Sequence, residues 1–222
     1  MKISTTTNNN IRTCPQQLQL DKVTEFLNAT THGFALVMAI YGTILLMHKS
    51  QGNPHLLYPF LIFGISLIIL YAASTLFHSL IFTPAKKVFQ KIDHISIYVL
   101  IAGSYAPFAL VAIGGVKGAI LLAIICFICL GGVIYKLSYL GRFKILETIA
   151  YIAIGWISVL YYHPLLSALG AKGVGLLILG GVMYSVGTIF YGWRNLPFHH
   201  VIWHLFVMAG SFSMFLSVYY YL

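Results

Sequence analysis

The sequence predicts an all-α membrane protein, built as a bundle of seven transmembrane helices. Composition is the first observation behind this prediction: the 222 residues are 59% hydrophobic and only 8% charged, whereas an ordinary soluble domain is about 25% charged. The second is that apolar stretches recur along the chain, each near the roughly 20 residues that cross about 30 Å of hydrocarbon as a helix. We therefore expect a multi-pass protein integral to the cell (plasma or inner) membrane.

The apolar stretches place the predicted helices in one domain, residues 23–222. They lie at about 26–47, 57–81, 93–113, 118–136, 145–163, 173–193 and 200–221. Because the connections are short, successive helices are expected to be antiparallel neighbours in a single bundle. Residues 1–22 are rich in Thr, Asn and Gln and lack the apolar run of a cleaved signal, so they are predicted to form a flexible polar tail.

Basic residues predict the orientation of the bundle. The net charge is +9, from 13 Lys and Arg against four Asp and Glu. Three of the basic residues fall on the side away from the N-terminus: Lys49, Lys117 and Lys172. Ten fall on the side of the N-terminus: Lys2, Arg12, Lys22, Lys86, Lys87, Lys91, Lys136, Arg142, Lys144 and Arg194. By the positive-inside rule the N-terminus is cytoplasmic and the C-terminus outside, which is inverted relative to rhodopsin-like receptors. This charge distribution indicates no nucleic-acid partner.

Polar residues of three predicted helices fall at the same depth, near the cytoplasmic ends. Ser74 and His78 are four positions apart in "STLFH" and share one face of the second helix. Asp93 opens the third helix, and an acid at membrane depth is a functional candidate because it costs about 3 kcal/mol or more unless it is paired. His200 and His204 share a face of the seventh helix in "FHHVIWHLFVMAG".

These residues predict a zinc site. Imidazole nitrogen suits Zn²⁺, and three histidines leave a fourth tetrahedral position for water, the pattern of catalytic zinc sites. In this hypothesis His78, His200 and His204 are the metal ligands and Asp93 orients or deprotonates the water. Ser74 donates a hydrogen bond in the outer layer or to a substrate carbonyl. The alternative is a cluster of histidines that only pack and hydrogen-bond between helices.

Other polar residues allow a functional and a structural interpretation. Glu25, Asn28 and His32 share a face of the first helix, and they either lie at the rim of the site or have structural roles. In the structural interpretation Glu25 suits the first turn of the helix, and Asn28 and His32 hydrogen-bond a neighbouring helix. Helix rotation directs His94 and His199 away from the cluster. Cys126 and Cys129 are expected to act as small packing residues. Close helix packing is expected at four glycines: Gly131, Gly132, Gly180 and Gly181.

Glu147 is a further acid, in "FKILETIAY". As for Glu25, a functional and a structural role are both open, and a salt bridge to Lys144 or Arg142 is the expected role.

With these motifs in place, the sequence resembles the progestin and adipoQ receptor superfamily, in its compact branch of hemolysin III-like membrane proteins. The resemblance covers nearly everything after the tail and depends on "EFLNATTHG", "STLFH", "KIDHISIYVLIAGSYAP", "GGVMYSVGTIFYGW" and "LPFHHVIWHLFVMAGS". It implies seven helices, a cytoplasmic N-terminus and a zinc ion held by His78, His200 and His204, with Ser74 and Asp93 in the same motifs. One departure is Met214, where many members have a further histidine.

The resemblance also implies a chemistry, because the superfamily is related by motif to alkaline ceramidases. The leading hypothesis is a zinc-dependent hydrolase that cleaves an amide or ester of a membrane lipid at the cytoplasmic side of the bundle. A non-enzymatic regulator, in which zinc only joins helices and a lipid is a ligand, is the alternative. A pore-forming activity, suggested by the hemolysin name, is a third. The lipid and the oligomeric state stay open.

Overall fold

The computed structural model describes residues 15–139, 142 and 144–222, with the backbone alone for 15–17 and Lys144. These residues form seven α-helices and no strand, which confirms the all-α class. The helices are α1 (Pro15–Lys49), α2 (Pro54–Ser79), α3 (Lys86–Pro107), α4 (Gly115–Tyr139), α5 (Lys144–Trp156), α6 (Tyr162–Gly192) and α7 (His199–Tyr221). α3 continues through a π-helical turn at Phe108–Ile113, and a 3₁₀ turn at Ile157–Tyr161 joins α5 to α6.

By length and composition, six helical segments of the described chain are able to cross a membrane. The seven predicted stretches become six because the fifth and sixth merge into one apolar segment of 48 residues, Ile145–Gly192. A straight helix of that length would measure about 72 Å, more than twice the hydrocarbon thickness of about 30 Å.

This long segment is not straight. Gly170 has φ 66° and ψ 175°, a backbone conformation that only glycine adopts readily, and it interrupts the helix there. The Trp156 indole N–H donates to Ser185 Oγ at 3.0 Å, although the two residues are 29 apart in sequence. In a continuous helix they would be about 44 Å apart. The chain therefore folds back near Gly170, and the stretches before and after this glycine lie side by side.

The N-terminal boundary differs from the predicted one. α1 begins at Pro15, so residues 15–22, which we predicted as tail, are helical. Residues 1–14, with Cys14, lie outside the described residues.

Small residues bring the helices close together. A Cβ atom at Gly64 of α2 would overlap Thr43 of α1, and one at Gly103 of α3 would overlap Ser66 of α2. Such contacts replace the missing hydrophobic driving force between helices in lipid. α1 packs against α2 and α7, while α2 also packs against α3 and α6 against α7. The N-terminal half of α1 therefore lies beside the C-terminal end of α2 and the N-terminal end of α7.

Three of the four glycines predicted to be packing positions are confirmed. Gly132 faces the Tyr98 ring, Gly180 faces Met214 and the backbone of α7, and Gly181 faces the Trp156 indole. Gly131 was predicted wrongly, because a Cβ there would have no neighbour within 4 Å.

A buried ion pair joins α4 to α5. Glu147 bonds the Lys136 ammonium, with side chains 6% and 2% exposed. We predicted Lys144 or Arg142 as its partner, and the Lys144 side chain lies outside the described residues. Glu147 points into the bundle, where a carboxylate needs a partner equally buried. Lys136, at the end of the preceding helix, reaches it across the interface. Lys136 was counted above among the ten basic residues on the side of the N-terminus. Its charge is neutralised by Glu147 inside the protein.

Candidate metal centre

Three histidines from two helices form a compact group. His78 lies in the last turn of α2, and His200 and His204 lie in the first turns of α7. Their candidate ligand atoms are all within 4.8 Å of one another. His78 and His204 are buried and His200 is half-buried. Within the described residues, this group can hold one metal ion, as the spacing of the three histidines predicts.

The ring nitrogens fit a metal. His78 Nδ1 is 2.6 Å from Glu25 Oε2, whereas His78 Nε2 is buried and has no hydrogen-bond partner in the described protein. A buried polar atom without a partner is costly and needs an explanation. Coordination supplies one, and three imidazoles are a donor set suited to Zn²⁺ and its neighbours in the first transition series.

Ser74 and Asp93 join the same group, as the predicted topology requires. The Ser74 hydroxyl is 2.7 Å from His32 Nδ1. The Asp93 carboxyl is close enough to interact with the Ser74 hydroxyl and with His78. Two side chains with acid–base and hydrogen-bonding capacity thus lie beside the three imidazoles.

The first helix lies beside the three-histidine group and bonds two residues of α2 there. Glu25 bonds His78, and His32 bonds Ser74. The His32 and His204 rings stack with centroids 3.5 Å apart and 9° between their planes. Asn28 is also buried. Their spacing on α1 was the available signal, and it left a rim position and a structural role open; the His32 ring lies among the imidazoles.

His94 was predicted to face away from the cluster and does not. It lines the same cavity as Asp93, and its Nδ1 bonds the Gln90 carbonyl at 2.8 Å and lies 3.5 Å from Asp93 Oδ2. His94 belongs to the wall next to Asp93, and it is not one of the three histidines whose ligand atoms lie within 4.8 Å of one another.

An apolar cavity of about 150 Å³ leads to the group. Ser74, Asp93, His200 and His204 line one part of it. Most of the remaining wall is hydrophobic, from α3, α5, α6 and α7, and includes Leu177 and Met214. Met214 contributes a thioether to this wall. The arrangement combines a polar, metal-binding end with a hydrophobic interior.

Comparison with known proteins agrees with this architecture. The sequence profile of the family described as "Haemolysin-III related" matches residues 20–215. Over 199 residues the chain is 43% identical to "Hemolysin-3 homolog" of Bacillus subtilis (strain 168), covering 89% of this chain and 93% of that protein. It is also 43% identical over 199 residues to "Hemolysin-3" of Bacillus cereus, with coverages of 89% and 91%.

A human relative extends the similarity beyond bacteria. The chain is 30% identical over 201 residues to "Monocyte to macrophage differentiation factor" of Homo sapiens, covering 88% of this chain and 83% of the human protein. The motifs, the apolar helices and these relatives agree, and this multi-pass membrane protein belongs to the haemolysin-III related family of the progestin and adipoQ receptor superfamily.

Proposed function

We propose that the protein is a zinc-dependent hydrolase that cleaves an amide or ester bond of a membrane lipid. The observation that carries the proposal is the cavity. It brings Ser74 and Asp93 together with two of the three clustered histidines and continues into an apolar interior. A metal that only joined helices would need no such space. An apolar cavity with a few convergent polar groups is the usual form of a small-molecule site.

The proposed roles of the residues follow from their positions. Zinc, when bound by His78, His200 and His204, supplies the Lewis acidity that makes water a nucleophile at neutral pH. The Asp93 carboxylate holds the proton that the attacking water loses, and transfers it to the leaving group. The Ser74 hydroxyl donates to the carbonyl oxygen of the scissile bond. The hydrophobic walls bind the adjacent acyl carbons and exclude bulk water.

The size of the cavity limits what it binds. At about 150 Å³ it is smaller than the roughly 300–1,000 Å³ of sites that enclose a drug-sized ligand. The cavity therefore takes the scissile bond and the first part of an acyl chain, while the rest of the lipid stays among the surrounding helices and the bilayer.

We also propose that the chain crosses the membrane seven times, with the N-terminus in the cytoplasm. The fold-back at Gly170 supports two crossings by the segment Ile145–Gly192. The positive-inside rule supports the orientation, and it places the metal centre at the cytoplasmic side.

Single-cysteine labelling tests this topology. In a background with the native cysteines replaced, a cysteine introduced at Leu222 is expected to react with a membrane-impermeant maleimide added outside intact cells. A cysteine introduced at Arg142 is expected to react only after the cells are opened. The reverse pattern contradicts the orientation. Equal accessibility of both positions contradicts an odd number of crossings between Arg142 and Leu222.

The hydrolase is tested by turnover of defined lipids. Purified protein in detergent is incubated with ceramides, simple fatty acyl amides and fatty acyl esters, and the released fatty acid is measured by mass spectrometry. We expect turnover by the wild type and a loss of about 10²-fold or more in Asp93→Asn, since general acid–base catalysis contributes about 10²–10⁴. Thr30→Val, on the exposed side of α1, is the control.

Two results would overturn the hydrolase. One is a zinc-loaded, folded wild type that cleaves none of these lipids, which leaves the regulator with a metal that joins helices. The other is equal turnover in Asp93→Asn. The name "Hemolysin-3" suggests pore formation as another activity. Dye release from vesicles measures pore formation directly. The α7 hydroxyls that a pore would need are instead used between helices: Ser213 donates to Leu176 and Ser217 to Gly173.

A further inference from the structure

Helix α1 contacts two of the three clustered imidazoles, those of His78 and His204. In each imidazole the contacted atom is Nδ1. Glu25 Oε2 lies 2.6 Å from Nδ1 of His78. Thr31 Oγ1 lies 3.3 Å from Nδ1 of His204. A histidine binds a metal through one ring nitrogen, and the partner of the other nitrogen decides which one is available. These contacts therefore bear on how the site binds its ion.

At His78 the partner is a carboxylate. A carboxylate accepts hydrogen bonds, so His78 Nδ1 carries the hydrogen and donates it to Glu25. The other nitrogen, Nε2, is the buried atom without a partner in the described protein. The His78 side chain is 2% exposed and that of Glu25 is 21% exposed, so Glu25 forms the outer layer between the imidazole and the edge of the bundle.

At His204 the direction of the hydrogen bond follows from a count of hydrogens. A hydroxyl has one hydrogen, and that of Thr31 is donated to the Leu27 carbonyl at 2.8 Å. The Thr31 oxygen therefore accepts from His204. This contact requires the hydrogen on Nδ1, which leaves Nε2 of His204 for the ion.

We propose that α1 sets the tautomer and ring orientation of two metal ligands, Glu25 for His78 and Thr31 for His204. Both act as positioning residues, and neither touches the ion. The inference depends on the proposed function in one respect, namely that the three-histidine group binds zinc. It assigns a role to the "EFLNATTHG" segment, which the hydrolytic roles of Ser74 and Asp93 do not use.

Zinc affinity tests the proposal without any assay of turnover. The dissociation constant is measured by competition with a chromophoric chelator for the wild type, Glu25→Ala, Glu25→Gln and Thr31→Val. Loss of an outer-layer partner weakens metal binding by about 10–100-fold, and we expect this for Glu25→Ala. Glu25→Gln should lose less, because its amide oxygen still accepts a hydrogen bond. Thr31→Val should lose a few-fold.

Thr30→Val is the matched control. Thr30 is the neighbour of Thr31 on the same helix, and its hydroxyl also donates to a helix carbonyl, that of Phe26 at 2.8 Å. Its side chain faces outwards. The same chemical change at Thr30 should therefore leave the dissociation constant unchanged.

NMR of the zinc-loaded protein with ¹⁵N-labelled histidine gives a second readout, because it reports which ring nitrogen carries hydrogen. We expect the Nδ1–H form for His78 and His204, and a change of the His78 signals in Glu25→Gln. Equal affinities in Glu25→Gln, Thr31→Val and the wild type would overturn the role of α1 and leave the hydrolase standing. A folded wild type that binds no zinc would overturn both. If Glu25→Ala does not fold, the two conservative variants decide.

Discussion

The imidazole of His32 lies parallel to that of His204, with ring centroids 3.5 Å apart, and its Nδ1 is 2.7 Å from the Ser74 hydroxyl. One side chain of α1 thus contacts a candidate metal ligand of α7 and a polar residue of α2. His32 is 3% exposed, so these contacts lie within the protein core.

Two substitutions of His32 should distinguish how much its ring packing and its hydrogen bond each contribute to stability. His32→Phe keeps a flat ring against His204 and loses only the bond to Ser74, so we expect a cost of about 1–3 kcal/mol. His32→Ala also removes the ring and leaves a cavity, for which about 2–5 kcal/mol is typical of large side chains. Thermal unfolding in detergent should therefore rank the wild type above His32→Phe, and His32→Phe above His32→Ala. Equal stability of the two variants would contradict the stacking contribution.

Metal content should depend on three histidines and not on a fourth. His78→Ala, His200→Ala and His204→Ala are each expected to lose most of the zinc, about one ion per chain in the wild type, because two imidazoles hold zinc poorly. His94→Ala should retain it, since His94 lies in the cavity wall. Mass spectrometry of the purified proteins measures the ratio. Zinc that persists in all three variants would place the ion elsewhere.

Adjacent glycines of α4 should respond in opposite ways to the same substitution. Gly132→Ala places a methyl group into the Tyr98 ring, and overpacking of this kind costs about 1–3 kcal/mol. Gly131→Ala meets nothing within 4 Å and gains up to about 1 kcal/mol of helix propensity. The two unfolding temperatures in detergent should lie on either side of the wild-type value. A stabilising Gly132→Ala would contradict the close contact of α3 with α4.

The buried pair of Lys136 and Glu147 should behave as a unit. Removing one partner leaves an uncompensated buried charge, and either Lys136→Met or Glu147→Leu is expected to cost about 3–5 kcal/mol. The double variant removes both charges and should recover most of that loss. A double-mutant cycle on unfolding free energies measures the coupling. Additive effects would show that the two side chains do not interact in the membrane protein.

Much of the fold follows from the sequence because lipid imposes a simple rule. A segment that crosses hydrocarbon must be helical and apolar, so composition alone predicts the helices and places polar residues such as His78, Asp93 and His204 at one depth. The fold-back within the merged fifth and sixth stretches is harder to predict, because it depends on the conformation of one residue, Gly170.

Side-chain partners were less predictable for a physical reason. In a helix with apolar residues on every side, the sequence pattern does not fix the rotation about the helix axis. Glu147 was therefore assigned to the neighbouring Lys144 or Arg142, whereas its partner Lys136 lies across a helix interface. The same uncertainty left the position of His32 open and directed His94 away from the cavity that it lines.

The positions of the three histidines along the chain also determine when an ion can bind during synthesis. One histidine lies on α2 and two lie on α7, and α1 contacts His78 and His204. A growing chain without α7 lacks two of the three imidazoles, so an ion held by this group would bind only after α7 is made. Metal supply would then act as a late checkpoint in biogenesis, closing the bundle by joining the beginning of the chain to its end.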